Sequence, residues 1–121
     1  MFSFFLEAGE VFKTYQIMDN GKKITIKAKE TTKNSKKIHI TKDGKKFDKN
    51  VKIIVKFSKN IDIKQFCKKY GLKLDFKMVT GHYIFKNTSS TPTMELIKKI
   101  MDSETKVSTI IPNWQLNQKK Q

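Results

Sequence analysis

Val51-Lys52-Ile53-Ile54-Val55-Lys56-Phe57 opens the most regular part of the chain. Val51, Ile53, Val55 and Phe57 fall on one side and Lys52, Ile54 and Lys56 on the other, the period of two that marks a half-buried strand. The period then becomes helical. Ile63, Phe66, Cys67 and Tyr70 recur on one face, Asp62 stands at the N-cap, and Gln65 follows three residues later as in a capping box. Gly71 comes directly after Tyr70, where a left-handed C-terminal cap is wanted. Leu72–Thr80 and His82–Asn87 read as two strands, with Leu72, Leu74 and Phe76 opposing Lys73, Asp75 and Lys77 in the first. Thr91 is placed to cap a second helix from Pro92 to about Ser103, whose buried stripe is Met94, Ile97, Ile100 and Met101. A last strand, Lys106–Ile111, runs into Pro112-Asn113-Trp114.

Strand, helix, strand, strand, helix, strand is the split βαβ order. The expectation is an α+β, ferredoxin-like fold over residues 50–111. It would be an antiparallel βαββαβ sheet with two helices on one face and a largely polar opposite face, solvated or used for docking. Residues 1–49 read as an N-terminal extension of β-hairpins. Val11–Met18 and Lys22–Lys29 flank the turn Asp19-Asn20-Gly21, and Lys37–Thr41 precedes a second turn at Asp43-Gly44. Glu30–Lys36 reads as a polar loop, and residues 112–121 as an extended C-terminal tail. Such a fold hosts many functions, so function has to be argued from a site.

The length of 121 residues suits one domain with a modest core, and nine Phe supply large core side chains. The balance of 26 basic against 11 acidic residues, net +15, suggests a nucleic-acid or membrane-surface protein at first sight. Every basic residue is Lys, however, and bidentate readout of phosphate and guanine favours the planar Arg fork. The lysines are also scattered in pairs, such as Lys22-Lys23, Lys45-Lys46 and Lys98-Lys99, which suits a solvated surface. A lone cysteine excludes an intramolecular disulfide and a Cys-rich zinc site, and the spacing of Cys67 reads as core. No stretch has the apolar length of a membrane span. Met1-Phe2-Ser3-Phe4-Phe5-Leu6-Glu7-Ala8-Gly9 lacks the basic start of a secretory signal and is short for one. It reads equally as the back end of a signal, with Leu6 and Ala8 near a cleavage site, or as a first strand or frayed end.

The sequence shows no catalytic set. His39 and His82 lack partners at metal-binding spacing and read as surface or turn histidines. There is no Gly-x-Ser-x-Gly elbow, phosphate loop or dinucleotide fingerprint. The βαββαβ order is shared with the RNA-recognition motif, but His82-Tyr83-Ile84-Phe85-Lys86 does not meet its aromatic signature, and Tyr83 and Phe85 are expected to pack inward. The expectation is a non-enzymatic chain without metal or cofactor.

Lys68-Lys69-Tyr70-Gly71-Leu72 at the end of the first helix, Tyr83-Ile84-Phe85-Lys86, the helix Met94–Met101 and the ending Ile111-Pro112-Asn113-Trp114 together carry a family likeness. Over about seventy residues the chain resembles the N-terminal prodomain of bacterial subtilisin-like serine peptidases. Glu10-Val11-Phe12 and Asn20-Gly21-Lys22-Lys23 are more weakly similar to the lead-in of longer prodomains. The resemblance implies a module that assists folding of a subtilisin-like protease and then inhibits it, secreted or periplasmic in location. Its sheet would dock on the catalytic domain. Its tail, Ile111, Pro112, Asn113, Trp114, Gln115, Leu116 and Asn117, would lie in the substrate cleft by strand addition, with Leu116 the most apolar occupant of the main pocket after Trp114. No protease domain follows Trp114 in this sequence, so a truncated prodomain, a degenerate gene and a stand-alone inhibitor all fit. The alternative function is a basic single-domain nucleic-acid-binding module, whose affinity would fall steeply with salt. A plain structural domain is the third reading.

Overall fold

Asn20 and Gly21 take φ of 50° and 79°, and two consecutive left-handed residues make the turn whose twist matches a hairpin. They join β1 (Phe12–Asp19) to β2 (Lys22–Lys33) with Tyr15 opposite Ile26 and Ile17 opposite Ile24. A second turn at Gly44, φ 91°, links β3 (Lys36–Thr41) to β4 (Lys46–Asp48). Thr41 organises it, accepting from the Lys45 N–H at 2.9 Å and donating to the Asp43 carboxylate. The computed structural model describes residues 12–33, 36–48 and 51–113, and the candidate signal remnant at Met1–Gly9 lies outside them.

The remaining elements are β5 (Ile53–Phe57), α1 (Ile63–Tyr70), β6 (Leu72–Lys77), β7 (Tyr83–Asn87), α2 (Thr93–Ser103) and β8 (Val107–Pro112). All eight strands form one antiparallel sheet in the order β4-β3-β2-β1-β8-β5-β7-β6. This corrects the expected fold class. The molecule is not a ferredoxin-like βαββαβ unit preceded by separate hairpins, with two helices on one face of a small sheet. It is a curled, half-barrel-like eight-stranded sheet with two helices. The junction that decides this is β1 against β8. Met18 pairs with Ile110, the Gly21 N–H donates to the Ser108 carbonyl at 2.7 Å, and the Asn20 N–H donates to Thr109 Oγ1 at 3.1 Å. A strand edge carries a row of unpaired backbone groups, and here the hairpin satisfies the Ser108 carbonyl and pairs at Ile110 on the edge of β8. The expected loop at Glu30–Lys36 is also corrected, because β2 continues to Lys33 and pairs Thr31 with Ile38.

The core joins both halves of the sheet. Ile53, Val55, Phe85, Ile97, Ile100 and Ile110 are fully buried and form one cluster with Ile17, Ala28 and Phe47 of the hairpin strands. Phe66 of α1 packs edge-on to Phe57 at 5.0 Å and tilted against Phe85 at 5.5 Å. Helix α2 lies against β1 and β8 with Met94, Leu96, Ile97, Ile100 and Met101 buried. Its N-cap is Pro92 rather than the expected Thr91, with no side-chain cap bond. The approach to α2 is held instead by Asn87, whose Nδ2 donates to the Thr91 carbonyl at 2.7 Å and to Thr93 Oγ1 at 3.1 Å. Buried Thr93 donates in turn to the Val51 carbonyl at 3.1 Å.

The ends of the two helices are clasped together. Tyr70 Oη donates to Glu104 Oε2 at 2.5 Å, and Lys69 Nζ meets the same oxygen at 3.0 Å. The Tyr70 bond, followed by Lys69, holds the Glu104 carboxyl below its ordinary range against the opposing effect of burial. A carboxylate depressed in this way contributes stability above its unfolded value, about 4.3, and loses it as pH falls through the lower folded value. Glu104→Gln is therefore expected to lower the thermal midpoint at pH 7, with the gap to the parent closing below about pH 4. Thermal melts of both chains across that range check this, and a gap as wide at acid pH as at neutral pH would contradict it.

Candidate docking surface

Strand β6 is broken by a bulge between Leu74 and Phe76. One extra residue in a strand turns every later side chain to the other face. Leu74 is opposite Phe85 and shares the side of the buried core, but beyond the bulge Phe76 is opposite Ile84. The expectation that Leu72, Leu74 and Phe76 line one face is corrected accordingly.

The consequence is an apolar row on the face turned away from Ile53, Val55 and Phe85. Phe76 is partnered by Ile84, Ile84 by Ile54, and Ile54 by Ile111, so the row crosses β6, β7, β5 and β8 in register. Ile84 is nearly closed off, Ile54 and Ile111 are half-buried, and Phe76 is 53% exposed. Lysines flank the row. Lys73 and Lys86 are partners below it, Lys52 shares their side, and Lys56 stands above it opposite Thr109. Asp75, at the bulge, pairs with Lys52 at 2.8 Å. The Lys52 hydrogen bond first, with Lys52 and Lys86 charges behind it, holds the Asp75 carboxyl below its ordinary range. An exposed aromatic joined to aliphatic side chains within a polar rim is a candidate protein-docking patch.

The structure locates part of the predicted tail. Ile111 and Pro112 belong to β8, opposite Ile54 and Ile53, and Pro112 is buried. The Asn113 N–H donates to the Lys52 carbonyl at 2.7 Å. Trp114, Gln115 and Leu116 lie outside the described residues. Ile111 thus belongs to the predicted tail and also to an apolar row on the open sheet face, which the sequence reads as largely polar. The rest of the row was missed by sequence reasoning. The alternation in β5 marks Ile54 as a lone apolar residue between lysines, and nothing in the local pattern shows that Ile84, Ile111 and Phe76 stand beside it.

The histidines are apart. His39 is stacked on Phe47 at 4.9 Å with Tyr15 edge-on at 5.7 Å, so it belongs to the hairpin packing rather than to a turn. His82 Nδ1 bonds Thr80 Oγ1 at 2.7 Å beside the β6–β7 turn. Burial pushes the Cys67 thiol above its ordinary value, the opposite of an activated nucleophile. Among the described residues no group of His, Cys, Asp and Glu is placed to hold a metal ion, and no helix is long and apolar enough to cross a membrane. No protein-family model matches the chain, and no curated protein or solved structure matches it.

Proposed function

We propose that this chain is a non-catalytic, prodomain-like module that assists folding of a subtilisin-like serine protease and inhibits it, secreted or periplasmic like such enzymes. The observation that carries the reading is the apolar row Ile111–Ile54–Ile84–Phe76 beside the end of β8. A catalytic domain seated on this face meets Asn113 at its border, so the segment from Trp114 onward begins beside the partner. An extended segment there adds to the partner by backbone hydrogen bonds, with alternate side chains filling pockets. The Lys68-Lys69-Tyr70-Gly71-Leu72 and Ile111-Pro112-Asn113-Trp114 motifs add to this reading, since they are the most specific part of the family likeness.

The test is inhibition of an active subtilisin-type protease by the full chain, followed through hydrolysis of a peptide substrate. Removing residues 114–121 is the informative truncation, because it spares buried Pro112 and the Asn113–Lys52 bond. The truncated chain is expected to unfold at the same urea concentration as the parent and to inhibit at least about tenfold more weakly. Inhibition that survives the truncation would rule out a cleft-filling tail.

A further inference from the structure

The apolar row does not end at β8. Met18 and Ile110 are partners across the β1–β8 junction, which sets Ile17 beside Ile111, and Ile17 is the partner of Ile24 on β2. Ile24, Ile111, Ile54, Ile84 and Phe76 therefore make one row across β2, β8, β5, β7 and β6, bridged between Ile24 and Ile111 by Ile17 of β1, which is buried and also belongs to the core cluster. At an interstrand spacing near 4.8 Å it is about 24 Å long. At its β2 end the surface hollows into a cleft of about 600 Å³ bounded by Ile17, Ile24, Ile26 and Ile111, with Thr41, Lys42 and Lys45 at its sides. Asp19 and Asp43 line it too, and Asp43 is answered by Lys45 at 3.8 Å. Ile24 remains 39% exposed and Phe76 53%, so each end of the row presents a large apolar side chain to solvent.

The geometry points to the β1–β2 hairpin as part of the docking surface, its cleft receiving an apolar side chain from an acidic surface of the partner protease. This rests on the protease-docking reading above. The charge of the row's flanks selects the partner. Lys52 is answered by Asp75, but Lys56 and Lys73 form an ion pair with no carboxylate among the described residues. An apolar ridge flanked by carboxylates on the protease matches both the row and these lysines, which favours rapid, salt-sensitive association. A second copy of this chain is disfavoured as occupant, because it would bring the same lysines and the same net charge of +15 to the contact.

The experiment is calorimetric titration of the full chain into a subtilisin-type protease whose catalytic serine has been replaced by alanine, at low and high salt. Ile24→Ser and Phe76→Ser alter the two exposed ends of the row, and Val79→Ser, on a fully exposed turn residue, is the control. Urea unfolding of each variant confirms that it is folded. Both row variants are expected to weaken binding about tenfold, and the control to leave it unchanged. Binding should also weaken as salt rises. Loss at Phe76→Ser with none at Ile24→Ser overturns the extension into the hairpin and leaves the protease reading standing. A parent chain that does not bind overturns both. A parent chain that binds a single-stranded oligonucleotide but not the protease overturns the acidic-protein assignment in favour of nucleic acid.

Discussion

Gly71→Ala is expected to lose about 3 kcal/mol of folding stability, from left-handed strain and a steric clash together. Gly71 ends α1 at φ 68° and ψ 42°, and its N–H donates to the Cys67 carbonyl as the helix cap. Any side chain in that conformation is strained by about 1–2 kcal/mol. The alanine methyl would also stand 2.7 Å from Ser89 Cβ and 3.2 Å from Ser89 Cα. Ser89 is not free to retreat. Its N–H donates to Asn87 Oδ1 at 3.0 Å, and its Oγ accepts from the Thr91 N–H at 3.2 Å. The Gly71 carbonyl is held as well, by the Thr88 N–H at 2.9 Å and Thr88 Oγ1 at 2.7 Å. Gly21→Ala separates the two contributions, since Gly21 has φ 79° with nothing within 4 Å of the added methyl. Urea unfolding should show the Gly71 variant losing clearly more than the Gly21 variant. Equal losses would mean that the close approach of Ser89 carries no energy.

Phe85→Ala is expected to cost about 4 kcal/mol, as large-to-small changes in a closed core do. Phe85 is fully buried on β7, opposite Ile53, and is packed by Phe66 of α1 at 5.5 Å and by Tyr83 at 5.9 Å. Its removal leaves a hole where helix and sheet meet, bordered by buried Ile53 and Phe66. A domain has a total stability of about 5–15 kcal/mol, so this one change is expected to bring the chain near its unfolding threshold. Phe76→Ala, half-exposed on the other face, is expected to cost under about 1 kcal/mol. Comparable losses at the two positions would mean that the faces of the sheet are assigned wrongly.

Those two phenylalanines show what sequence reading reaches. The inward face of β7 is legible from the alternation of Tyr83 and Phe85, because period-two placement is a property of the strand alone. Phe76 has an equally regular sequence context, yet it lies on the opposite face from Leu74. The bulge at Asp75 shifts the register, and a bulge depends on the partner strand. The same limit hid most of the apolar row. Ile24, Ile17, Ile111, Ile54, Ile84 and Phe76 come from six separate strands, and no pattern within one strand shows that they stand side by side. Of the predicted tail residues, Ile111, Pro112 and Asn113 are held on or beside the sheet, where β8 is long enough to pair them with β5.

The sequence by itself determined the ends of α1 and the first hairpin turn. Asp62 caps α1 by accepting from the Gln65 N–H, Gly71 ends it, and Asn20-Gly21 turns the first hairpin, because each depends on the conformational limits of one or two residues. Only the tertiary structure decided how the strands were joined. Both edges of β8 offer hydrogen-bonding groups, and no side-chain pattern specifies which hairpin will meet them. The Met18–Ile110 pairing turns a small sheet with appended hairpins into one eight-stranded sheet. That pairing also aligns the isoleucines of the hairpin with those of β8 and β5, since side chains on neighbouring strands share a face once their backbones are in register.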